Sequence, residues 1–195
     1  MTKRETYHHG DLKEALVRAG LQIIEEAGLS GLSLRTCAER TGVSHTAPKN
    51  HFGNVAGLFT AIAARGYSQM AARMRQDLPQ DASRDQRRDA ALAGYVAFAR
   101  ANPALFELMH SRQRTNSADP ALQAAVGECF AILRDAAEGL IWDKSDTPDA
   151  ELRAQMMLWS FVHGFAQLAV SGKFDKPAMN GLGILEIMPG FNYAE

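Results

Sequence analysis

Cysteine is scarce in this chain: of 195 residues only Cys37 and Cys129 are cysteines, far apart, with no Cys-x-x-Cys and no histidine pair beside either. That removes a disulfide framework and a zinc site of ordinary spacing, and leaves two small reduced hydrophobes, with a redox-sensing thiol at Cys129 as the alternative. Long apolar runs are also missing, since none approaches the roughly 18 residues that a bilayer crossing needs. The opening Met1-Thr2-Lys3-Arg4-Glu5-Thr6 leads into no hydrophobic signal segment, so a cytoplasmic location without membrane contact is expected. Net charge is lacking too. Twenty-one Lys and Arg against 22 Asp and Glu give −1, so there is no global basic signature of a polyanion binder.

Catalytic motifs are absent as well. There is no Gly-x-Ser-x-Gly, no phosphate-cradling glycine loop and no His-Glu-x-x-His. Glu107-x-x-His110 matches half of a helical carboxylate metal motif, but such a site needs a second Glu-x-x-His and two further glutamates, and no second copy exists. The chain is therefore read as a non-enzyme, with no metal and no cofactor. No segment alternates convincingly with a period of two, so the fold class is all-α. At 46% hydrophobic residues, the chain can build one sizeable core, or a small module beside a larger one.

What is present is a hairpin of two short helices. Ser33 can cap the first by accepting from an orphan backbone N–H, and Leu34, Cys37, Ala38 and Thr41 then share one face. Gly42 ends it, Val43 plugs the turn, and Ser44 is placed to cap a second helix over 44–52. Pro48 falls in the first turn of that helix, where few N–H bonds are lost. Such a helix-turn-helix unit lays its second helix in the major groove and presents the side chains of its first turns to base edges. Here these are His45, Thr46, Ala47, Lys49 and Asn50.

Charge placement agrees with that reading although net charge does not. Residues 1–53 carry seven Lys and Arg against six acids, but Lys3, Arg4, His8, His9, Arg35, Lys49 and His51 cluster at the arm and the hairpin, where phosphates would lie. Four of the six histidines also belong to this stretch, so its charge should rise below about pH 6.5.

The remaining helices follow from periodicity and caps. The first should start at Asp11, with Glu14 three residues on, carry a stripe of Leu12, Leu16, Ala19 and Ile23, and stop at Gly28. Gly53-Asn54 breaks the chain before a long helix over about 55–75. Further helices are expected over 84–100, 103–110, 120–142 and 149–171, with Asp119 and Pro120 as the start of one of them. The last two are apolar over a wide arc: Leu122, Val126, Cys129, Phe130, Leu133 and Leu140 on one, and Met156 to Phe165 and Leu168 on the other. A helix apolar nearly all round is covered on more than one side. One side can be the core and the other a second subunit, making a homodimer through 120–142 and 149–171.

The stretch from Tyr7-His8-His9-Gly10-Asp11-Leu12 through Val43-Ser44-His45-Thr46-Ala47-Pro48-Lys49-Asn50-His51-Phe52 resembles the tetracycline-repressor (TetR) family. Asn102-Pro103-Ala104-Leu105-Phe106-Glu107-Leu108-Met109 and Trp159-Ser160-Phe161-Val162-His163-Gly164 look like a C-terminal domain type of one branch, marked by Trp-x-x-x-His-Gly. The resemblance implies a three-helix DNA-binding domain over 1–53 and a helical ligand-binding and dimerisation domain over 54–195, joined through the connector helix at about 55–75. It implies a ligand-responsive regulator, in the main a repressor that leaves a palindromic double-stranded DNA operator when a small, mostly apolar effector binds. Arg35, Ser44, His45, Thr46, Ala47, Lys49, Asn50 and His51 are then the DNA-binding positions, and Phe106, Met109, His110, Trp159 and His163 the ligand-binding ones. His163 has a second reading as a core histidine satisfied by a protein partner.

Two positions depart from the family pattern: Lys49 stands where relatives carry an aromatic residue, and Val55 where they carry a lysine. Both are phosphate-contacting positions in relatives. Lys49 can supply a point charge and Val55 cannot. That loss motivates the competing reading, a helical small-molecule-binding or adaptor protein that no longer reads DNA.

Overall fold

The computed structural model describes residues 9–141, 146–174 and 181–193. Among them the chain runs α1 (His9–Ala27), a 3-10 turn (Leu29–Gly31), α2 (Leu34–Thr41), α3 (Ala47–Phe52), α4 (Val55–Met74), α5 (Arg84–Ala101), α6 (Pro103–Met109), α7 (Pro120–Ala137), β1 (Leu140–Ile141), α8 (Ala150–Val170), α9 (Ile184–Ile187) and β2 (Asn192–Tyr193). The fold is all-α, as the sequence predicts. Among the described residues the one sheet is the antiparallel pair β1–β2, with Leu140 opposite Tyr193. Lys3, Arg4 and His8 of the expected basic arm lie outside the described residues, as do Trp142 and the side chains of His9 and Asp11.

Two compact units emerge, one from the chain up to Gly66 together with Ala104–Gln123, the other from Tyr67–Pro103 and Ala124 onward. In the first, α1 buries Leu16, Val17, Ala19, Ile23 and Ile24. The helix begins at His9, two residues before the expected start, because the first N–H groups of a helix have no intrahelical partner and Gly10 therefore forfeits no bond there. At the start of α2 the Thr36 N–H donates to Ser33 Oγ at 3.0 Å while the Ser33 N–H donates to Thr36 Oγ1 at 2.9 Å, so the expected cap is a reciprocal box. Gly42 closes the helix at φ 69°, and the Val43 N–H donates back to the Ala38 carbonyl at 3.1 Å. Arg40 Nη1 reaches Glu26 at 2.7 Å and so pins α2 to α1.

The second hairpin helix starts later than expected. Ser44 does not cap it: the Ala47 N–H donates to the Ser44 carbonyl at 3.0 Å, which makes 44–46 a turn, and Thr46 is the N-cap, without a side-chain cap bond. The proline accounts for this. Having no N–H, Pro48 sits best in the first two positions of a helix, and α3 accordingly begins at Ala47.

In the same unit α4 is anchored from two sides. A Cβ at Gly57 would overlap the Phe52 carbonyl oxygen and sit 3.0 Å from its carbon, so the first turn of α4 rests against the backbone end of α3 at a distance that only glycine allows. One turn on, the buried Thr60 hydroxyl donates to the Ala56 carbonyl at 2.7 Å and accepts from the Asn116 N–H at 2.9 Å. Asp119 caps α7 as predicted, accepting from the Leu122 N–H at 3.0 Å.

The second unit is built on α5 packed against α8, with α9 on α5. Ser83 and Gln86 form a capping box at the start of α5. The expected helix over 120–142 stops at Ala137, because Gly139 takes φ 70° and turns the chain into β1, so Leu140 is buried from a strand and not from a helix. Tyr193 secures this corner. Its hydroxyl donates to the Ala136 carbonyl at 3.0 Å, and the Arg88 guanidinium lies 5.8 Å from its ring centre.

Candidate nucleic-acid interface and ligand-contact residues

The turn 44–46 and α3 present one polar face. Ser44, His45, Thr46, Lys49 and Asn50 are exposed, Ala47 and His51 are half-buried, and Pro48 alone of this run is buried. The proline thus serves as the hydrophobic foot of the helix, and its neighbours are turned outward. Side-chain donors and acceptors available on that face are the Lys49 ammonium, the Asn50 amide, the His45 imidazole and the Ser44 and Thr46 hydroxyls, which lie 3.2 Å apart. An amide of this kind can pair bidentately with adenine, and an ammonium with guanine or phosphate.

Arg35 lies on α2 and is exposed, but its Nε donates to Glu39 at 2.8 Å. That hydrogen bond holds the Glu39 carboxyl below its ordinary value and raises Arg35 above its own. A phosphate would have to draw Arg35 from this partner. Val55 is 42% exposed at the start of α4, an apolar side chain on a polar surface. Beside it the Asn54 Oδ1 accepts from the Gly57 N–H at 3.0 Å, so the asparagine satisfies one of the orphan donors of α4.

The ligand-contact candidates divide between the two units. Phe106, Met109 and His110 belong to the first, where Phe106 and Met109 are buried and His110 is half-buried. His110 Nδ1–H donates to the Phe106 carbonyl at 2.9 Å, and the two rings are centred 4.5 Å apart. Trp159 and His163 belong to the second unit. His163 Nδ1 is 2.9 Å from the Tyr95 hydroxyl, Trp159 is centred 6.2 Å from His163, and Phe130 packs edge-on against Trp159 at 4.9 Å. Gln167 Nε2 stands 3.4 Å from His163 Nε2.

Burial sets the protonation of this cluster. Desolvation lowers the His163 imidazole below 6.5 and pushes the Tyr95 phenol up, with Tyr67 and Cys129 adding to the latter and the Trp159 indole, which donates to the phenol oxygen, opposing it. Both groups are neutral near pH 7. The Tyr95 hydroxyl and His163 Nδ1 share a hydrogen bond, and the Gln167 amide nitrogen faces the other ring nitrogen, Nε2. Tyr95 carries no local sequence signal, since it lies 68 positions from its partner. Gln167, by contrast, is readable as i+4 from His163.

Burial also raises both thiols, Cys37 to about 11 and Cys129 to about 12. Each is therefore protonated and poorly nucleophilic at neutral pH. Among the described residues no group of three His, Cys, Asp or Glu could hold a metal ion, and no helix is long and apolar enough to cross a membrane.

Comparison with known proteins places this geometry. Residues 89–181 match the family described as tetracyclin repressor-like, C-terminal domain. A protein of unknown function from Rhodococcus sp. RHA1 is similar at 26% identity over 94% of this chain and 92% of that one, with a TM-score of 0.70. A transcriptional regulator from the same Rhodococcus shares 23% identity over 86% and 88% of the two chains, with a TM-score of 0.57. A Streptomyces coelicolor A3(2) protein described as a possible TetR family transcriptional regulator shares 19% over 87% and 75%, also at 0.57. At these identities the last two speak for the fold. No curated protein matches the chain in sequence.

Proposed function

We propose that this chain, whose residues 89–181 match the tetracyclin repressor-like C-terminal domain, is a ligand-responsive transcriptional regulator that represses from a palindromic operator and is released by a small, mostly apolar effector. Residues 1–53 read the DNA, and residues 54–195 bind the effector and dimerise. The observation that carries this reading is the outward face of α3, where His45, Thr46, Lys49 and Asn50 are exposed around a buried Pro48. Thr46, Ala47, Lys49 and Asn50 meet base edges, with Lys49 also within the repertoire of phosphate contacts. His45 can do either, and Arg35, Ser44 and His51 brace the backbone.

Homodimerisation has support in α8. Leu152, Met156, Ser160, Gly164 and Leu168 recur every four residues and are all exposed, with open space around Gly164. Large apolar ends about a small centre let two such helices cross closely. A two-fold dimer of this kind sets its reading helices roughly 34 Å apart, one turn of DNA. Effector contacts fall to Trp159 and His163 in the second unit and to Phe106, Met109 and His110 in the first. Release needs only differential affinity, since about 3 kcal/mol of coupling weakens operator binding on the order of 150-fold. No chemical step is involved, and the site of action is the cytoplasm.

A gel-shift titration against the DNA flanking its own coding region tests the proposal. A sequence-selective, salt-sensitive shift is expected. Absence of any shift at low salt would favour the adaptor reading, for which the exposed Val55 in place of a phosphate-binding lysine is the motivating observation.

A further inference from the structure

Across residues 27–76, which hold the hairpin and α4, six Lys and Arg stand against a single acidic residue, Glu39. Its surroundings give that carboxylate a role. Glu39 is exposed on α2, and its Oε1 accepts from Arg35 Nε at 2.8 Å. This hydrogen bond is the main cause that holds the carboxyl below its ordinary value, and the charge of His45, in the turn that leads into α3, acts in the same direction. Glu39 thus acts on two of the side chains assigned to DNA, one on its own helix and one in the following turn.

Helix stability does not account for the pair. At i, i+4 the favourable order is acid before base, and the helix dipole favours acids in the first turn and bases in the last. In α2 both are reversed, since Arg35 is the second residue of the helix and Glu39 the third from its end. With Arg35 79% exposed, the bridge also adds little to folding. Against DNA the same charges weigh more, because each cation that neutralises a phosphate releases a counterion and so raises both affinity and its dependence on salt. The other arginine of α2, Arg40, is already paired with Glu26 of α1.

We propose that Glu39 restrains sequence-independent DNA binding: its carboxylate holds Arg35 in the free protein and must be displaced before Arg35 can meet a phosphate. The inference rests on the reading that the hairpin binds DNA. It makes Glu39 a positioning residue that acts through Arg35.

Anisotropy titrations of the full chain on a labelled duplex of random sequence, at several salt concentrations, test this. Glu39→Gln keeps the helix propensity of the site and removes its charge. It should tighten binding by about three- to tenfold at low salt and steepen the fall of log affinity with log salt by about 1. Adding Arg35→Gln should remove both gains. Asp81→Asn, which takes away one exposed carboxylate in the second unit, should produce neither. Helix content and melting verify that the variants are folded. A parent chain that binds no duplex at low salt overturns the DNA reading and this inference together. Where the parent binds, no gain in Glu39→Gln, a gain that survives Arg35→Gln, or an equal gain from Asp81→Asn overturns the role of Glu39 alone.

Discussion

Lys49 and Asn50 are neighbours on the exposed face of α3, and truncating them should have different consequences. If Asn50 meets a base edge, as proposed, Asn50→Ala should cost about 1–3 kcal/mol of discrimination, so operator affinity should fall and the preference for operator over unrelated DNA should relax. If Lys49 meets a phosphate, Lys49→Ala should weaken all sequences alike and reduce the slope of log affinity against log salt by about 1. Anisotropy titrations on operator and scrambled DNA at several salt concentrations read both effects. Unchanged affinity and slope in both variants would remove α3 from the interface. His163 offers a test of another kind. Its folded-state value is lowered by burial from 6.5, so the unfolded chain takes up the proton first as pH falls. The contribution of the neutral imidazole is therefore full above about pH 6.5, is lost as pH drops below that value, and levels off once the folded form also protonates. Melting temperatures between about pH 7.5 and 5.5 should fall less for His163→Gln than for the parent protein. An identical pH dependence would mean that His163 is not held neutral by its surroundings.

At the level of elements, the contact between α3 and α4 decides how α3 is held. The close approach at Gly57 involves backbone atoms of Phe52, which cannot swing aside as a side-chain tip could. Gly57→Ala should therefore cost about 1–3 kcal/mol as overpacking, or shift α3 to relieve it. Thermal melting reads the first outcome and operator affinity the second. A variant unaffected in both would show that the α3–α4 contact has slack. The same contact bears on the proposed signalling, because α4 continues from Gly66 of the first unit into Tyr67 of the second, as α7 does from Gln123 to Ala124.

For the whole molecule the governing question is subunit pairing. Among the described residues, seven of the eight exposed large hydrophobics, all but Val55, lie in the second unit, and three of them, Leu152, Met156 and Leu168, share the outer stripe of α8. If the chain pairs through this stripe, as proposed, joint substitution of Met156 and Leu168 by Glu should convert the dimer to monomer in sedimentation equilibrium. Operator binding should fall with it, because a monomer loses the effective concentration that tethers its second half-site. A dimer that survives both charges must use another face.

Much of the helical framework could be read from residues three or four apart. Ser33 with Thr36, Gly42 after Thr41, Asp119 before Pro120 and the stripe of α1 all act within a turn of helix, and the structure repeats them. Ser83-x-x-Gln86 carries the same kind of signal at the start of α5. At α3 the local signals competed: Ser44 offers a cap, but Pro48 sits best in the first two positions of a helix and holds the start at Ala47. Packing alone decided the rest: the Tyr95–His163 hydrogen bond across 68 positions, the approach of Phe52 to Gly57, the pairing of Leu140 with Tyr193, and the inclusion of Ala104–Gln123 in the unit that holds α2 and α3. Caps and periodicity are set by backbone hydrogen bonding within a few residues and are written into the chain. Which distant side chains meet depends on how whole helices bury their apolar faces, and no local stretch of sequence encodes that choice.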